Sequence, residues 1–407
     1  MRAANPVSPA IAELQRSTAR GDTRVTTAFW AKVARVGTPL IEPNASSADS
    51  VWMTFLWKGD STLRNVVLLN APIADPRPAE SKLAYIPHTD VWYRTYGVRA
   101  DVRFAYDLSV NDNLIPLWEV TDWSERTSTF QLDPLNPKHG GRDGRTISVA
   151  EGPGAPPERW VQHRAGVPSG TVRKQDFPSS TMGNTRSVWV YTPPGFDTVA
   201  EAFRRAPLIV AFDGGAYVSD VPTPTILDNL IAAKRIPPTV AVLIGNVGYQ
   251  REKDLSMNPA FADFVVNEIV PWVRKTYRLQ SRAKETVIAG SSSGGLGAAF
   301  IALRHPEVFA NVLSQSGAYF YSPTTDSEPE ALAREIVRLP IRPIRFFVEV
   351  GSLEVGPPVN MVAANRHFRD VLLAKGYRVS YREFSGGHEY VNWRNGFADG
   401  IIALLGR

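Results

Sequence analysis

The run Thr286-Val287-Ile288-Ala289, followed at once by Gly290-Ser291-Ser292-Ser293-Gly294-Gly295, constrains this chain more than any other stretch. A β-branched strand that ends in G-x-S-x-G and opens into Leu296-Gly297-Ala298-Ala299-Phe300-Ile301-Ala302-Leu303 predicts a sharp strand-to-helix turn. Such a turn is a nucleophile elbow, and it raises one serine, Ser292, above the carboxyl edge of a sheet. Small residues two before and two after that serine let the neighbouring backbone close in. The following helix points its N-terminus, with its partial positive charge, at any anion forming there. A Gly/Ser-rich turn before an ordinary helix is the plainer reading, but the strand before and the helix after favour the elbow.

A serine hydroxyl is a poor nucleophile until a positioned imidazole takes its proton. In α/β-hydrolases the chain order is serine, acid, histidine. Six histidines occur: His88, His139, His163, His305, His367 and His388. Only the last two follow the region expected to carry the acid. His367 falls in a helical pattern from Val359 to Lys375, interleaved with Arg366, Arg369 and Asp370, and reads as a helix-surface residue. His388 sits in Ser385-Gly386-Gly387-His388-Glu389, just past the strand-like run Tyr377 to Phe384, where glycines can swing a ring over the serine. His388 is therefore the expected base. The acid should follow the preceding strand, Arg345 to Val350, and Glu354 in Gly351-Ser352-Leu353-Glu354 is the expected carboxylate. Glu349 lies inside that strand and is expected to pair structurally; Asp370 belongs to a helix.

Two backbone N–H groups are needed to hold the developing oxyanion. One is expected from Ser293, the residue after the nucleophile. The second should follow an earlier strand, Pro207 to Phe212, which ends in Asp213-Gly214-Gly215-Ala216-Tyr217. Gly214 or Gly215 is the candidate donor, although D-G-G is also plain turn chemistry.

A length of 407 residues suggests two domains, and 43% hydrophobic with 21% charged residues is ordinary for a globular chain. No stretch of ~18 uninterrupted apolar residues occurs, so no membrane insertion is expected. Met1-Arg2-Ala3-Ala4-Asn5-Pro6 lacks the apolar core of a secretory signal, which favours the cytoplasm. A chain whose leader had been removed would read the same way and would be periplasmic. Zero cysteines exclude disulfides, thiolate metal sites and a cysteine nucleophile. The net charge is +5, from 45 basic and 40 acidic residues. Its arginines are scattered rather than clustered along a phosphate track, so nucleic-acid binding is not expected. A mild positive field favours an anionic small substrate.

Residues 1–45 read as an N-terminal helical segment, with helices at Ser8 to Arg20 and Val25 to Val36. Residues 46–135 then hold short alternating runs: Ser50 to Trp57, Asn65 to Leu69, Val91 to Tyr96, Asp101 to Leu108 and Ser128 to Leu132. Strands at this spacing, separated by Gly, Asp, Pro and Asn, argue for a β-sandwich. Its aromatic residues (Trp52, Phe55, Trp57, Trp92, Tyr93, Tyr96, Phe104, Tyr106) are expected in the core. Residues 136–165, dense in Pro, Gly and charge, read as a linker. From 166 to 407 strands alternate with helices, among them a helix from Ala260 to Tyr277. That pattern implies a mostly parallel sheet covered on both faces.

With these residues in hand, the chain resembles the enterochelin esterase family, ferric-siderophore hydrolases with an α/β-hydrolase domain behind an immunoglobulin-like domain. The resemblance spans roughly residues 45 to 407. It is carried by Thr89-Asp90-Val91-Trp92 and Asp133-Pro134-Leu135-Asn136-Pro137, by Arg186 to Gly195, by Arg251-Glu252-Lys253-Asp254-Leu255, and by Asn258-Pro259-Ala260-Phe261. Most specific is Gly386-Gly387-His388-Glu389 with Trp393-Arg394. Glu389 stands where the family often has Asp, and Ser293 where a larger side chain is frequent.

The resemblance implies Ser292 as nucleophile and His388 as base. It also implies a cyclic catecholoyl-serine tri-ester substrate, usually iron-loaded, with the iron as cargo and no resident cofactor or metal. A ferric tri-catecholate is anionic, so Arg251 and then Arg394 are expected to meet it, against the alternative of structural ion pairs. Tyr217 is expected to stack on a catechol ring, against the alternative of core packing. Two other functions fit the same scaffold: a feruloyl or acetyl-xylan type esterase with a glycan-binding sandwich, and a non-catalytic siderophore-binding relative.

Overall fold

Runs of β-branched and aromatic residues build three sheets in the computed structural model, which describes residues 6–22, 24–142, 144–197, 200–356 and 359–406. The chain divides into two compact units, Met1–Pro157 with Ser385–Val391, and Glu158–Phe384 with Asn392–Arg407.

In the first unit, helices Pro9–Ala19 and Val25–Val36 stand close to the spans their periodicity predicts. Their apolar residues Ile11, Leu14, Phe29, Trp30 and Val33 form one buried cluster with Leu40, Leu56, Ile86, Val91 and Tyr93. The strands are β1 (Leu40–Pro43), β2 (Ser50–Lys58), β3 (Val66–Leu69), β4 (Ala84–Tyr85), β5 (Val91–Arg99), β6 (Arg103–Val110), β7 (Phe130–Gln131), β8 (His139–Arg142) and β9 (Arg145–Glu151). They form an antiparallel sheet β1-β2-β5-β4 and a second antiparallel sheet β3-β6-β9-β8, with β7 on β6. The two sheets meet through Phe55 of β2, whose ring lies 6.3 Å from Phe104 and 4.8 Å from Tyr106 of β6. Five of the eight aromatic residues expected in this core are buried: Phe55, Trp92, Tyr93, Phe104 and Tyr106.

Two domain boundaries are corrected. Residues 136–157 are not linker: β8 pairs with β9, and β9 pairs with β6 with Phe104 opposite Ala150. Ile147 and Val149 of β9 are buried, so the segment supplies core rather than tether. The N-terminal segment is likewise part of the first unit, and β1 falls inside it. Its residues 1–5 lie outside the described residues.

The Asp133-to-Pro137 run has a structural role. Tyr106 Oη donates to Asp133 Oδ2 at 2.7 Å, and Asn136 Nδ2 donates to Tyr106 Oη and to the Val149 carbonyl, each at 2.9 Å. Burial raises both the Asp133 carboxyl and the Tyr106 phenol above their ordinary values.

The second unit holds β10 (Thr171–Ser179), β11 (Asn184–Thr192), β12 (Leu208–Ala211), β13 (Val240–Ile244), β14 (Thr286–Ser291), β15 (Asn311–Gln315), β16 (Arg345–Gly351) and β17 (Arg378–Phe384). The order is β10-β11-β13-β12-β14-β15-β16-β17; β10, β11 and β13 pair antiparallel, and every later pairing is parallel. Val210, Val242, Ile288, Val312 and Val348 belong to one large core. Their alternates Ile209, Val287, Leu313 and Phe347 are buried too. On that second face, a Cβ on Gly400 of helix Tyr390–Leu405 would come 2.5 Å from Leu313 and 3.0 Å from Phe347. Both faces are therefore covered, which is why these strands are apolar throughout.

The expected Ala260-to-Tyr277 helix exists with a widened middle: Pro259–Asp263 and Val270–Thr276 are α-helical and Phe264–Ile269 is π-helical. Pro271 has no N–H to donate back one turn, and the wider turn precedes it. No helix among the described residues is long and apolar enough to cross a membrane.

Candidate active site

The central strand β14 is buried along its whole length and stops at Ser292, whose φ of 59° and ψ of −125° lie where only a turn forced by its surroundings holds a residue with a side chain. Ser292 is half-buried, and helix Ser293–Arg304 starts immediately after it. The Ser292 amide donates to the Gln315 carbonyl at 2.9 Å, and the Ala318 amide donates to the Ser292 carbonyl at 3.0 Å, so β15 and its following turn pin the elbow. Gly290 is obligatory: a Cβ there would come within 2.5 Å of the Gly294 backbone. Gly294 is less constrained, since its own Cβ would meet Asp213 Oδ2 at 3.5 Å. As the first residue of its helix, Ser293 has an amide with no acceptor inside that helix.

Asp213, Gly214 and Gly215 stand beside this elbow. Asp213 is buried with a φ of 54°, and Gly214 and Gly215 open the short helix Gly214–Ser219 rather than a simple turn. A Cβ on Gly214 would come 2.7 Å from the Leu243 carbonyl, so the position accepts glycine only.

The expectation for Tyr217 is corrected, and Arg251 and Arg394 form the structural ion pairs named as their alternative. Tyr217 is fully buried; its hydroxyl donates to Gln315 Oε1 at 2.8 Å and its ring packs 5.6 Å from Phe397. Arg251 makes a bidentate pair with Asp213, Nε to Oδ1 at 2.6 Å and Nη2 to Oδ2 at 2.8 Å, and also reaches Glu252 and the Ser291 carbonyl. Arg394 makes a bidentate pair with Glu158 at 2.5 and 2.6 Å and is buried. In each case a non-local partner claims the side chain.

Glu354 follows β16 and is buried; its Oε1 accepts from Ser316 Oγ at 2.7 Å and from the Gly351 amide at 2.8 Å. Trp393 Nε1 donates to the same Ser316 hydroxyl at 3.0 Å. Glu349, wholly buried within the strand, accepts from Gln315 Nε2 and from Arg382, each at 2.5 Å. Burial raises the Glu349 carboxyl, against the opposing pull of Arg382. His367 pairs with Glu330 at an exposed helix position, as its pattern predicts.

His388 follows β17 in the segment Ser385–Val391, which groups with the first unit, and it is solvent-exposed. Within that unit the neighbouring Glu389 is buried: its Oε2 accepts from the Ala105 amide at 2.5 Å and pairs with Arg142 at 3.5 Å. Sequence reasoning missed Glu252, Asn246 and Ser316. Ser293 Oγ donates to Glu252 Oε2 at 2.5 Å, and Asn246 Nδ2 donates to Asp213 Oδ1 at 2.8 Å. Glu252 adjoins Arg251 in a run that already stood out, but only the fold brings it to Ser293. Among the described residues, no group of three or more metal-ligating side chains is placed to hold an ion.

Comparison with known proteins agrees with this architecture. Residues 179–404 match the family described as "Putative esterase", and residues 52–161 match the enterochelin esterase N-terminal family. The chain is 30% identical to an iron(III) enterobactin esterase of Dickeya dadantii, over 93% of this chain and 92% of the relative. It superposes with a TM-score of 0.79 and 26% identity on ferric enterobactin esterase from Salmonella typhimurium, covering 93% of this chain and 98% of the other. An enterobactin esterase from Shigella flexneri, solved in the presence of enterobactin, gives a TM-score of 0.74 at 26% identity, covering 93% and 97%.

Proposed function

The chain belongs to the enterobactin (enterochelin) esterase family, and from that premise we propose that it hydrolyses the ester bonds of a catecholate siderophore trilactone, freeing the bound iron. The observation that carries the chemistry is the elbow, with Ser292 held at a φ of 59° directly before a helix N-terminus. Ser292 Oγ attacks an ester carbonyl while His388 takes its proton and Glu354 orients the imidazole. The Ser293 amide and that of Gly214 or Gly215 receive the tetrahedral oxyanion. His388 then gives its proton to the departing serine hydroxyl of the substrate. Water, activated by the same imidazole, releases the acyl group and restores the Ser292 hydroxyl.

Iron takes part as cargo of the substrate, and these steps need no resident cofactor. The first unit, with two antiparallel sheets in contact through Phe55, supports an immunoglobulin-like reading. The substrate assignment is tested by comparing kcat/KM for a ferric catecholate trilactone, a feruloylated sugar and a short-chain nitrophenyl ester. The trilactone should exceed the feruloylated sugar by about 100-fold or more, well within the roughly 10⁴-fold discrimination a site built to hydrogen-bond its substrate can supply. Equal or reversed preference contradicts the siderophore assignment.

A further inference from the structure

We infer, resting on Ser292 as nucleophile, that Glu252 is a positioning residue that holds Ser293, and with it the proposed oxyanion donor, in register with the Asp213-Gly214-Gly215 wall. The two candidate walls of the oxyanion hole come from different elements: Ser293 opens the elbow helix, whereas Gly214 and Gly215 follow β12. One ionic chain joins them. The Ser293 hydroxyl donates to Glu252 Oε2 at 2.5 Å; Glu252 Oε1 accepts from Arg251 Nη1 at 2.5 Å; Arg251 grips both oxygens of Asp213. Arg251 Nη2 also reaches the Ser291 carbonyl at 3.3 Å, on the last strand residue before the nucleophile.

The short helix that carries this chain, Arg251–Leu255, is itself anchored. Asp254 pairs with the buried Arg186 of β11 at 2.9 Å, and a Cβ on Gly297 of the elbow helix would lie 2.9 Å from the Leu255 carbonyl. Stability does not explain Glu252. Its side chain is 67% exposed, so its pair with Arg251 contributes little to folding. Fixing a donor amide matters more to catalysis, because oxyanion stabilisation depends on where the donors stand when charge develops. The charge pattern fits the same role: Arg251 lies between the carboxylates of Asp213 and Glu252 and offsets a field that would otherwise oppose the oxyanion.

The test uses Ser293→Ala, Glu252→Ala and the double variant of the full-length protein, assayed on a nitrophenyl ester with melting temperatures alongside. Ser293→Ala keeps the donor amide and removes only the hydroxyl. Each single variant should lose about 5- to 20-fold in kcat, below the loss expected when a donor itself is removed, with KM within about twofold. The double variant should be no worse than either single, because all three break one link. Melting temperatures should stay at the wild-type value. Wild-type kcat in either single variant, losses that multiply in the double, or a kcat loss matched by a fall in melting temperature overturns the inference. Turnover that survives Ser292→Ala in a parallel assay would instead overturn the reading of the nucleophile on which the inference stands.

Discussion

Ser292 sits in a backbone region that costs about 1–3 kcal/mol for a residue with a side chain, and its surroundings hold it there. The hydrogen bonds from the Ser292 amide to Gln315 and from the Ala318 amide back to Ser292 fix the peptide on both sides. Closure of the turn rests on Gly290, where a Cβ would lie 2.5 Å from the Gly294 backbone. Gly290→Ala is therefore expected to cost about 1–3 kcal/mol in urea unfolding and to lower kcat/KM sharply, while Gly294→Ala is milder on both counts. Loss of neither stability nor activity in Gly290→Ala would contradict the geometry. At this scale the sequence showed the elbow well, because strand, turn and helix are contiguous. It did not show the partners of Tyr217, Arg251 and Arg394, since Gln315, Asp213 and Glu158 lie 98, 38 and 236 residues away. Residue type alone does not reveal that a charge or ring is already engaged.

Among elements, the parallel strands were readable because burial on both faces makes them continuous apolar runs. Strand β10 escaped notice: it pairs only with β11, at the sheet's edge, and most of its residues, Arg173, Lys174 and Asp176 among them, are exposed. Such an edge shows no apolar alternation to detect. Strand β9 was lost for another reason: Ile147 and Val149 do alternate inward, but the surrounding Gly, Pro and charge suggested a tether.

The β10–β11 turn is tied to the π-helical segment by Glu268, whose Oε1 accepts from Ser180 Oγ and Thr181 Oγ1 at 2.7 Å and from the Thr181 amide at 2.8 Å. Burial alone would raise this carboxyl, but hydrogen bonds from Ser179, Ser180 and Thr181 prevail and lower it to about 2. Because the native value lies below the ordinary 4.5, the bonded carboxylate adds stability above that pH and loses it as pH falls toward 2. After allowance for solvent screening the contribution is about 1 kcal/mol. Glu268→Gln should lower the urea midpoint at pH 7 and match wild type near pH 2; an equal deficit at both would show that ionisation plays no part.

At the scale of the whole molecule, the proposed nucleophile Ser292, donor Ser293 and acid Glu354 belong to the second unit, and the proposed base His388 to a segment that groups with the first. Chain order is what proposes these three roles, since nucleophile, acid and base follow one another along the sequence in this fold. The grouping of Ser385–Val391 with the N-terminal unit had no local signal, because it depends on Glu389 meeting the Ala105 amide and Arg142, 284 and 247 residues earlier in the chain. The measurement that tests the central claim most directly is kcat/KM of Ser292→Ala against wild type on a ferric catecholate trilactone. A loss of about 10⁴-fold or more with the melting temperature preserved is predicted for removal of a serine nucleophile. Retention of trilactone hydrolysis within about tenfold of wild type would contradict the account.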